Sequence, residues 1–250
     1  MIIGSIKEDI NLEKRISITP ETAKNIIALG LNVNLEKNYA VHLGIEDKQY
    51  EVNGVKFYSS SEEVINNSNL ILKVNCPADS EIKVLKEKTI LIGIFNPSKN
   101  KDELKKILKK NINIFSLELL PRISRAQSMD VLSSQSNLSG YRAVIESIYE
   151  FEKAVPMMMT AAGTVPAAKV LVIGAGVAGL QAIATAKRLG AIVSATDVRT
   201  ASKEQVESLG GKFLMVEQEE NLETTGGYAK ETSEEFKKKQ ADLLKEAMIK

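Results

Sequence analysis

A glycine-rich turn in the second half of the chain has the residue types and spacing of a site for dinucleotide phosphates. It joins a strand pattern to a helix pattern and contains Gly174, Ala175, Gly176, Val177 and Gly179. In a Gly-x-Gly-x-x-Gly turn of this kind, the first glycine permits the tight turn and the second lets backbone approach a pyrophosphate. The third lets the helix pack on the strand. The helix N-terminus favours the negative phosphates. We therefore predict a bound dinucleotide, the alternative being a glycine turn without a ligand.

The residues Asp197, Val198 and Arg199 decide which dinucleotide this turn is expected to bind. Asp197 follows the strand pattern Ile192–Thr196, 23 residues after Gly174. An acid at this position accepts hydrogen bonds from the adenosine ribose and repels a 2′-phosphate, which favours NAD over NADP. Arg199 raises the opposite possibility. Because Asp197 stands at the strand end itself, the pattern predicts NAD(H).

The order of the apolar patterns predicts an α/β fold with two Rossmann-like parallel-sheet domains. We place an N-terminal α/β domain at 1–135, a connecting helix and crossover at 136–165, and a partial NAD-binding Rossmann domain at 166–250. The helix is expected over about Asn137–Phe151. Three strand patterns in the last region are fewer than a doubly wound domain needs. We therefore expect a second domain that is truncated at its C-terminus, either as a fragment or completed by another polypeptide.

The composition excludes several classes of function. The 250 residues include 33 basic and 32 acidic side chains, so the chain has no charge excess for binding nucleic acid. Cys76 is the single cysteine and His42 the single histidine, which predicts neither a disulfide nor a metal site. The sequence has no signal-peptide pattern and no apolar run of about 18 residues, so we expect no membrane span.

The polar segment Pro121–Ser136 is the second candidate for a functional site. It combines arginines, glutamines, serines and an aspartate with few apolar anchors, and we predict a loop here. Loops on a rigid scaffold often carry binding or catalytic residues. The alternative is a polar connector between domains.

This segment resembles the signature loop of the NAD(H)-binding domain of proton-translocating NAD(P) transhydrogenases. The resemblance covers the whole chain and is looser between Lys7 and Pro121. The segments that carry it are Pro121–Gln135, Pro156–Pro166, Ala182–Gly190, Ala195–Arg199, Glu204–Gly211 and Gly226–Glu231.

The resemblance implies a cofactor, a reaction and partners. NAD(H) would lie in the cleft between two α/β domains, and hydride would pass to NADP(H) on a separate domain. The transfer would be coupled to proton flow through a transmembrane subunit. We accordingly expect a cytoplasmic protein, peripheral to the inner membrane through its partner subunits, and a homodimer. Whether a separately encoded polypeptide supplies the C-terminal remainder of the domain stays open.

The resemblance also implies roles for individual residues. Arg122 would contact the nicotinamide end of the nucleotide, and Asp130 and Ser133 would bond around its carboxamide and ribose. Gln127 would reach toward the second nucleotide, and Tyr228 falls on a mobile loop that closes over NAD(H). Hydride transfer between two nicotinamides needs no general acid or base. It needs two rings held close with water excluded, which suits a hydrogen-bonding segment without histidine.

Alanine dehydrogenase is the rival enzyme, because it resembles the same family along its N-terminal region. Arg15 matches the arginine that holds its substrate carboxylate, and Lys73 matches its catalytic lysine. Oxidative deamination needs a titrating base. The histidine expected after the Ile90–Ile94 strand is replaced by Asn96, which cannot titrate. We therefore interpret Arg15 and Lys73 as structural, and we keep an inactive truncated fragment as a third alternative.

Overall fold

A computed structural model describes residues 1–216 and 233–249 of the chain. These residues form two compact units, Met1–Asp130 and Val131–Lys250. The larger sheet of each unit is parallel. The predicted α/β fold with two parallel-sheet domains is therefore confirmed.

The first unit is built on a six-stranded parallel sheet with the strand order β3-β2-β1-β4-β5-β6. Alternate residues of β4 enter different cores: Ile71 joins one apolar cluster, and Leu70 and Leu72 pack against the other. Both faces of the sheet are therefore covered, as parallel sheets require. The strands are β1 (Ile2–Ser5), β2 (Asn32–Glu36), β3 (Lys56–Tyr58), β4 (Leu70–Leu72), β5 (Ile90–Gly93) and β6 (Asn113–Ser116).

Side-chain caps mark the start of two helices of this unit. Thr19 caps the first helix by accepting the N–H of Thr22, and a proline follows in the first turn. Ser60 accepts the N–H of Glu63, and the Glu63 carboxylate accepts the N–H of Ser59. The helices are α1 (Pro20–Ala28), α2 (Asp47–Glu51), α3 (Ser61–Asn66), α4 (Asp79–Val84) and α5 (Lys101–Leu108).

The described residues of the second unit form a three-stranded parallel sheet with the order β11-β10-β9, a two-stranded antiparallel hairpin and four helices. Its strands are β7 (Met158–Thr160) and β8 (Gly163–Val165), which form the hairpin, and β9 (Lys169–Ile173), β10 (Ile192–Thr196) and β11 (Lys212–Phe213). Its helices are α6 (Val131–Phe151), α7 (Val177–Arg188), α8 (Ser202–Ser208) and α9 (Glu234–Ile249). In the described ranges, no helix is both long and apolar enough to cross a membrane.

The prediction of a loop over Pro121–Ser136 is wrong. A 3-10 helix occupies Ser124–Met129, and α6 begins at Val131 rather than at about Asn137. The first turns of α6 alternate exposed and half-buried residues, so their polar composition belongs to a helix that is only partly covered. The crossover also contains a hairpin that the sequence did not predict, β7 with β8.

Gly140 fixes the approach of α6 to α7. A Cβ atom at this position would lie 2.0 Å from the carbonyl oxygen of Ala178, in the first turn of α7. No side chain can be accommodated at that distance, so the two backbones touch where glycine allows it. Val144, one turn further along α6, is buried in the same cluster as Ala182 and Ile183 of α7.

We predict that Gly140→Ala destabilises the protein, by about 1–3 kcal/mol, because the new methyl group overpacks this contact. The sign is informative, since the same exchange at an ordinary helix position stabilises by about 1 kcal/mol. Ser139→Ala, at the exposed neighbouring position, is the matched control and should be neutral or slightly stabilising. Urea unfolding of the two variants checks this. A gain of stability in Gly140→Ala would contradict the contact.

Candidate functional site

The turn between β9 and α7 requires glycine at its first position. Gly174 has a φ of +93°, in the left-handed region that side chains disfavour. Its N–H donates to the carbonyl oxygen of Thr196 at 2.8 Å, which ties the turn to the end of β10. The tight turn predicted for this glycine is therefore confirmed.

The other two glycines of the turn serve different purposes. A Cβ atom on Gly179 would lie 1.8 Å from the carbonyl oxygen of Gly174, so the close approach of α7 to the turn depends on glycine. The space at Gly176 is open, because the nearest neighbour of a Cβ there is Nη2 of Arg199 at 3.9 Å. Gly176 is also the N-cap of α7, and no side chain of the described ranges caps this helix. The turn therefore forms an open cradle of backbone beside an uncapped helix N-terminus.

Asp197 closes this cradle from the end of β10. Its carboxylate is 7% exposed. Oδ2 accepts the N–H of Ala175 at 2.7 Å, and Oδ1 accepts the backbone N–H of Arg199 at 2.8 Å. The Arg199 side chain donates from Nε to Oδ1 at 2.9 Å and from Nη2 to Oδ2 at 3.0 Å.

These bonds keep the carboxylate charged. Burial raises the pKa of Asp197, but the hydrogen bonds from Arg199 and Ala175 outweigh it and hold the pKa below its ordinary value. Asp197 is therefore an ionised acceptor at neutral pH, set beside the glycine cradle.

The remaining predicted residues of this region lie around the cradle. Ala175 is fully buried, and Val177, the first residue of α7, is 42% exposed. Val198 is half-buried between Asp197 and Arg199. Tyr228 lies outside the described residues.

The residues predicted at the nicotinamide end are divided between the units. Arg122, Gln127 and Asp130 belong to the first unit. Arg122 and Gln127 are exposed, and Asp130 is half-buried and donates its N–H to the Gln127 carbonyl oxygen at 3.2 Å. Ser133 lies in the first turn of α6 in the second unit, two turns before Gly140. The contact between α6 and α7 therefore holds Ser133 on the same framework as the glycine turn.

Gly140 is the structural residue that sequence reasoning missed. An isolated glycine inside a helical pattern costs about 1 kcal/mol, and when it is kept it usually has a packing reason. That signal was present in the sequence. It did not reveal the partner, because Ala178 becomes a neighbour only when α6 crosses α7.

The residues of the rival enzyme form ion pairs inside the first unit. Lys73 is 6% exposed, and its Nζ lies 2.8 Å from Oε1 of Glu81 and 3.7 Å from Oε2 of Glu8. The Arg15 side chain donates hydrogen bonds to Glu13 from Nε at 2.9 Å and from Nη2 at 2.6 Å. Both cations therefore have carboxylate partners within the first unit.

The pKa values of Glu8 and Glu13 shift in opposite directions. Burial raises the pKa of Glu8 above its usual range, although Lys73 opposes that shift. Hydrogen bonds from Arg15 lower the pKa of Glu13. Glu8 therefore depends on the neighbouring charge of Lys73 to stay ionised.

Asn96 stands where a dehydrogenase histidine is expected, and it is held by its backbone. Its φ of +43° lies in the left-handed region, and its N–H donates to Oε1 of Glu118. In the part of the chain that the structure describes, no group of His, Cys, Asp and Glu side chains has the arrangement of a metal site. The groups gathered in the second unit, which are the glycine turn, the N-terminus of α7 and the ionised carboxylate of Asp197, can hold an anion and a diol.

Two family descriptions match nearly the whole chain. "Alanine dehydrogenase/PNT, N-terminal domain" matches residues 4–139, and "Alanine dehydrogenase/PNT, C-terminal domain" matches residues 143–249. The chain belongs to the alanine dehydrogenase/PNT family.

Individual relatives place the chain within this family. The first of the separate parts of the NAD(P) transhydrogenase alpha subunit of Rhodospirillum rubrum is 50% identical over 257 residues, which cover 100% of this chain and 67% of that protein. The crystal structure of transhydrogenase from Sinorhizobium meliloti aligns with a TM-score of 0.82 and 48% identity, over 86% of this chain and 64% of that one. Alanine dehydrogenase of Methanococcus maripaludis is 29% identical over 80% of this chain and 54% of that protein.

These identities group the chain with the transhydrogenase alpha subunits, which confirms the assignment made from the sequence. The chain spans about two thirds of the length of these transhydrogenase relatives.

We predict that Lys73→Met destabilises the protein by about 3–5 kcal/mol, because it leaves buried carboxylates without their cation. Lys105→Met removes a lysine from an exposed pair with Asp102 and is the matched control, with little expected effect. Chemical unfolding at several pH values measures both.

The pH dependence of this loss has a defined sign. The pKa of Glu8 is raised in the folded protein, so stability tied to its protonated form is present at low pH. That stability is lost as the pH rises from about 4, the ordinary range of glutamate, through the raised pKa. Lys73→Met removes the charge that lowers the pKa of Glu8, so this loss of stability with rising pH is larger in the variant. The stability deficit of Lys73→Met relative to the unaltered protein should therefore grow with pH. A deficit that shrinks with pH, or one as small as that of the control, would disprove the buried pairing.

Proposed function

We propose that this chain is the NAD(H)-binding component of a proton-translocating NAD(P) transhydrogenase. The observation that carries the proposal is the open glycine cradle beside the ionised carboxylate of Asp197. It occurs in a chain 50% identical to a portion of a transhydrogenase alpha subunit. When bound, NAD(H) supplies or accepts the hydride that is exchanged with NADP(H) on a partner domain.

The residues of the cradle fit the adenosine and pyrophosphate parts of NAD(H). Gly176 offers backbone without a side chain, and the uncapped N-terminus of α7 offers N–H groups and a favourable dipole to phosphate. Asp197 offers acceptors to the ribose hydroxyls. Gly174 and Gly179 shape the turn, and Ala175, Val177 and Val198 complete its wall.

The residues proposed for the nicotinamide end position the ring rather than transfer protons. Arg122, Gln127, Asp130 and Ser133 offer hydrogen bonds and one positive charge. Hydride transfer between nicotinamides depends on distance, alignment and exclusion of water, which such groups can control. Tyr228 would add cover over the bound nucleotide.

The partners of this chain are the NADP(H)-binding and transmembrane subunits, which would hold it at the cytoplasmic side of the inner membrane. The name of the Rhodospirillum rubrum relative describes an alpha subunit in separate parts, which supports the existence of further polypeptides. Within the described residues, β9 pairs on one side only, with β10. A cavity of about 420 Å³ lies along β9 and α6 and is lined by Val144, Ile148 and Val170 among others. We propose that the remainder of the domain adds a strand at this edge, from the same polypeptide or a separate one.

A homodimer is proposed from the hairpin of the second unit. All residues of β7 and β8 are exposed, including Met158, Met159 and Val165. A two-stranded hairpin is marginally stable alone in water. A second copy of this chain is the partner we propose to cover it.

We predict that the chain, alone or with its completing segment, binds NADH more tightly than NADPH. Asp197→Asn should weaken NADH binding by about 10- to 100-fold, since hydrogen bonds to a charged group are lost. It should also reduce the preference for NADH over NADPH. Asp242→Asn makes the same charge change at an exposed position in α9 and should leave both affinities unchanged. Titration of nucleotide fluorescence measures them. Equal or tighter NADPH binding by the unaltered protein would overturn the role of Asp197.

We predict that Gln127→Asn and Asp130→Asn impair hydride transfer more than NADH binding. Misplacement of about 1 Å can cost on the order of 10²-fold in rate, whereas one lost hydrogen bond costs about 0.5–1.5 kcal/mol of affinity. Ser128→Ala, at an exposed position in the same 3-10 helix, is the control. The measurement compares single-turnover transfer with NADH affinity in a complex reconstituted with the completing segment and an NADP(H)-binding domain.

Two results would contradict this assignment. If the variants lose affinity but keep the transfer rate of bound nucleotide, the residues are ordinary binding contacts. Formation of pyruvate from alanine and NAD⁺ by the unaltered protein would support the amino-acid dehydrogenase instead.

A further inference from the structure

Within the described residues, the Asp197 carboxylate receives four hydrogen bonds, two on each oxygen. Oδ1 accepts the backbone N–H and the Nε of Arg199, at 2.8 and 2.9 Å. Oδ2 accepts the N–H of Ala175 and the Nη2 of Arg199, at 2.7 and 3.0 Å. An ionised carboxylate offers about four lone-pair positions. The acceptor capacity of Asp197 is therefore filled.

The four donors differ in how easily they can move away from the Asp197 carboxylate. The N–H groups of Ala175 and Arg199 are backbone, fixed by the glycine turn and by the end of β10. The guanidinium belongs to a long side chain that is 21% exposed, three times the exposure of the Asp197 carboxylate. One backbone donor and one guanidinium donor bind each oxygen, so withdrawal of the Arg199 side chain frees one position on each.

Two acceptor positions on the two oxygens of one carboxylate are what a ribose diol needs, since each hydroxyl donates one hydrogen bond. We propose that the Arg199 guanidinium and the adenosine ribose diol of NAD(H) compete for the same two positions on Asp197. This inference rests on the proposed function and assigns to Arg199 a role that opposes binding. The two backbone bonds would hold the carboxylate in the same orientation with either partner.

The location of the guanidinium supports the competition. Its Nη2 lies 3.9 Å from the point that a Cβ on Gly176 would occupy, so it borders the open side of the cradle. A dinucleotide whose pyrophosphate approaches Gly176 and whose ribose reaches Asp197 must pass through this space.

The competition has consequences for affinity and for selectivity. Each NAD(H) that binds must break an ion pair, which lowers its affinity and favours its release. NADP(H) carries a phosphate in place of the 2′-hydroxyl, so it lacks one of the donors that replace the guanidinium. It also brings negative charge to a carboxylate that has lost its cation.

The test uses the full chain, with Arg199→Ala and Arg199→Gln, and measures NADH affinity by calorimetry or fluorescence. Arg199→Ala should bind NADH about tenfold more tightly, as expected when a charge-assisted bond no longer has to be broken. Arg199→Gln, a weaker competitor without charge, should lie between. Lys203→Ala removes a positive charge from an exposed position in α8, and its affinity should be unchanged or slightly lower. A thermal unfolding scan checks that each variant is folded.

A second ligand separates competition from a general effect of charge. The NADH analogue whose adenosine ribose carries hydrogen in place of both hydroxyls cannot donate to Asp197. Its affinity should be the same for the unaltered protein and for Arg199→Ala.

Three outcomes would overturn the inference. Unchanged or weaker NADH binding by both Arg199 variants would show that the side chain does not compete. An equal gain for the dideoxy analogue would show that the effect does not pass through the diol. If NADH binds to neither the unaltered protein nor the variants, the proposed function fails with it. If NADH binds but the Arg199 variants show no gain in affinity, only the competition is excluded and the proposed function stands.

Discussion

The close approach of α7 to the turn after β9 is the constraint on which the second unit depends. No side chain fits at Gly179, because a Cβ would lie 1.8 Å from the carbonyl oxygen of Gly174. That contact holds the N-terminus of α7 against the turn. The N–H of Gly174 links the same turn to the end of β10. Asp197 directly follows β10, and its carboxylate consequently accepts the N–H of Ala175. Gly140 extends the same framework to α6. Backbone contacts thus set the positions, and side chains supply the chemistry.

The two charged networks of the chain differ in what can move. Lys73 is buried between Glu81 and Glu8, and an ion pair so enclosed is costly to break. Arg199 pairs with Asp197 at the border of an open cradle, with part of its side chain in solvent. Charges of the first kind hold a fold together. Those of the second kind can exchange partners, which is why a ligand-dependent role suits Arg199 and does not suit Lys73.

The sequence predicted the elements whose signals are local. The strands β9 and β10 and the helix α7 follow from short apolar runs, helical periodicity and glycine positions, and they lie where expected. The helix α6 begins earlier than predicted because its first turns are polar and only partly covered, a composition that is also typical of a loop. The Asp197 pairing needed side-chain geometry that spacing alone does not give. Arg122, Gln127, Asp130 and Ser133 came from the resemblance, and their roles stay predictions.

The family unites two reactions, and the strand ends of the first unit bear on how they differ. Deamination needs a base that titrates, whereas exchange of hydride between two nicotinamides moves no proton at the reacting carbons. Under the proposed function, no titrating group is needed at the position of Asn96. The backbone N–H of Asn96 donates to Glu118. Lys73 keeps its buried ion pairs with Glu81 and Glu8, and Arg15 keeps its pair with Glu13, under either reaction. Such paired cations need no substrate to hold them, whereas a titrating base serves only the reaction that moves a proton.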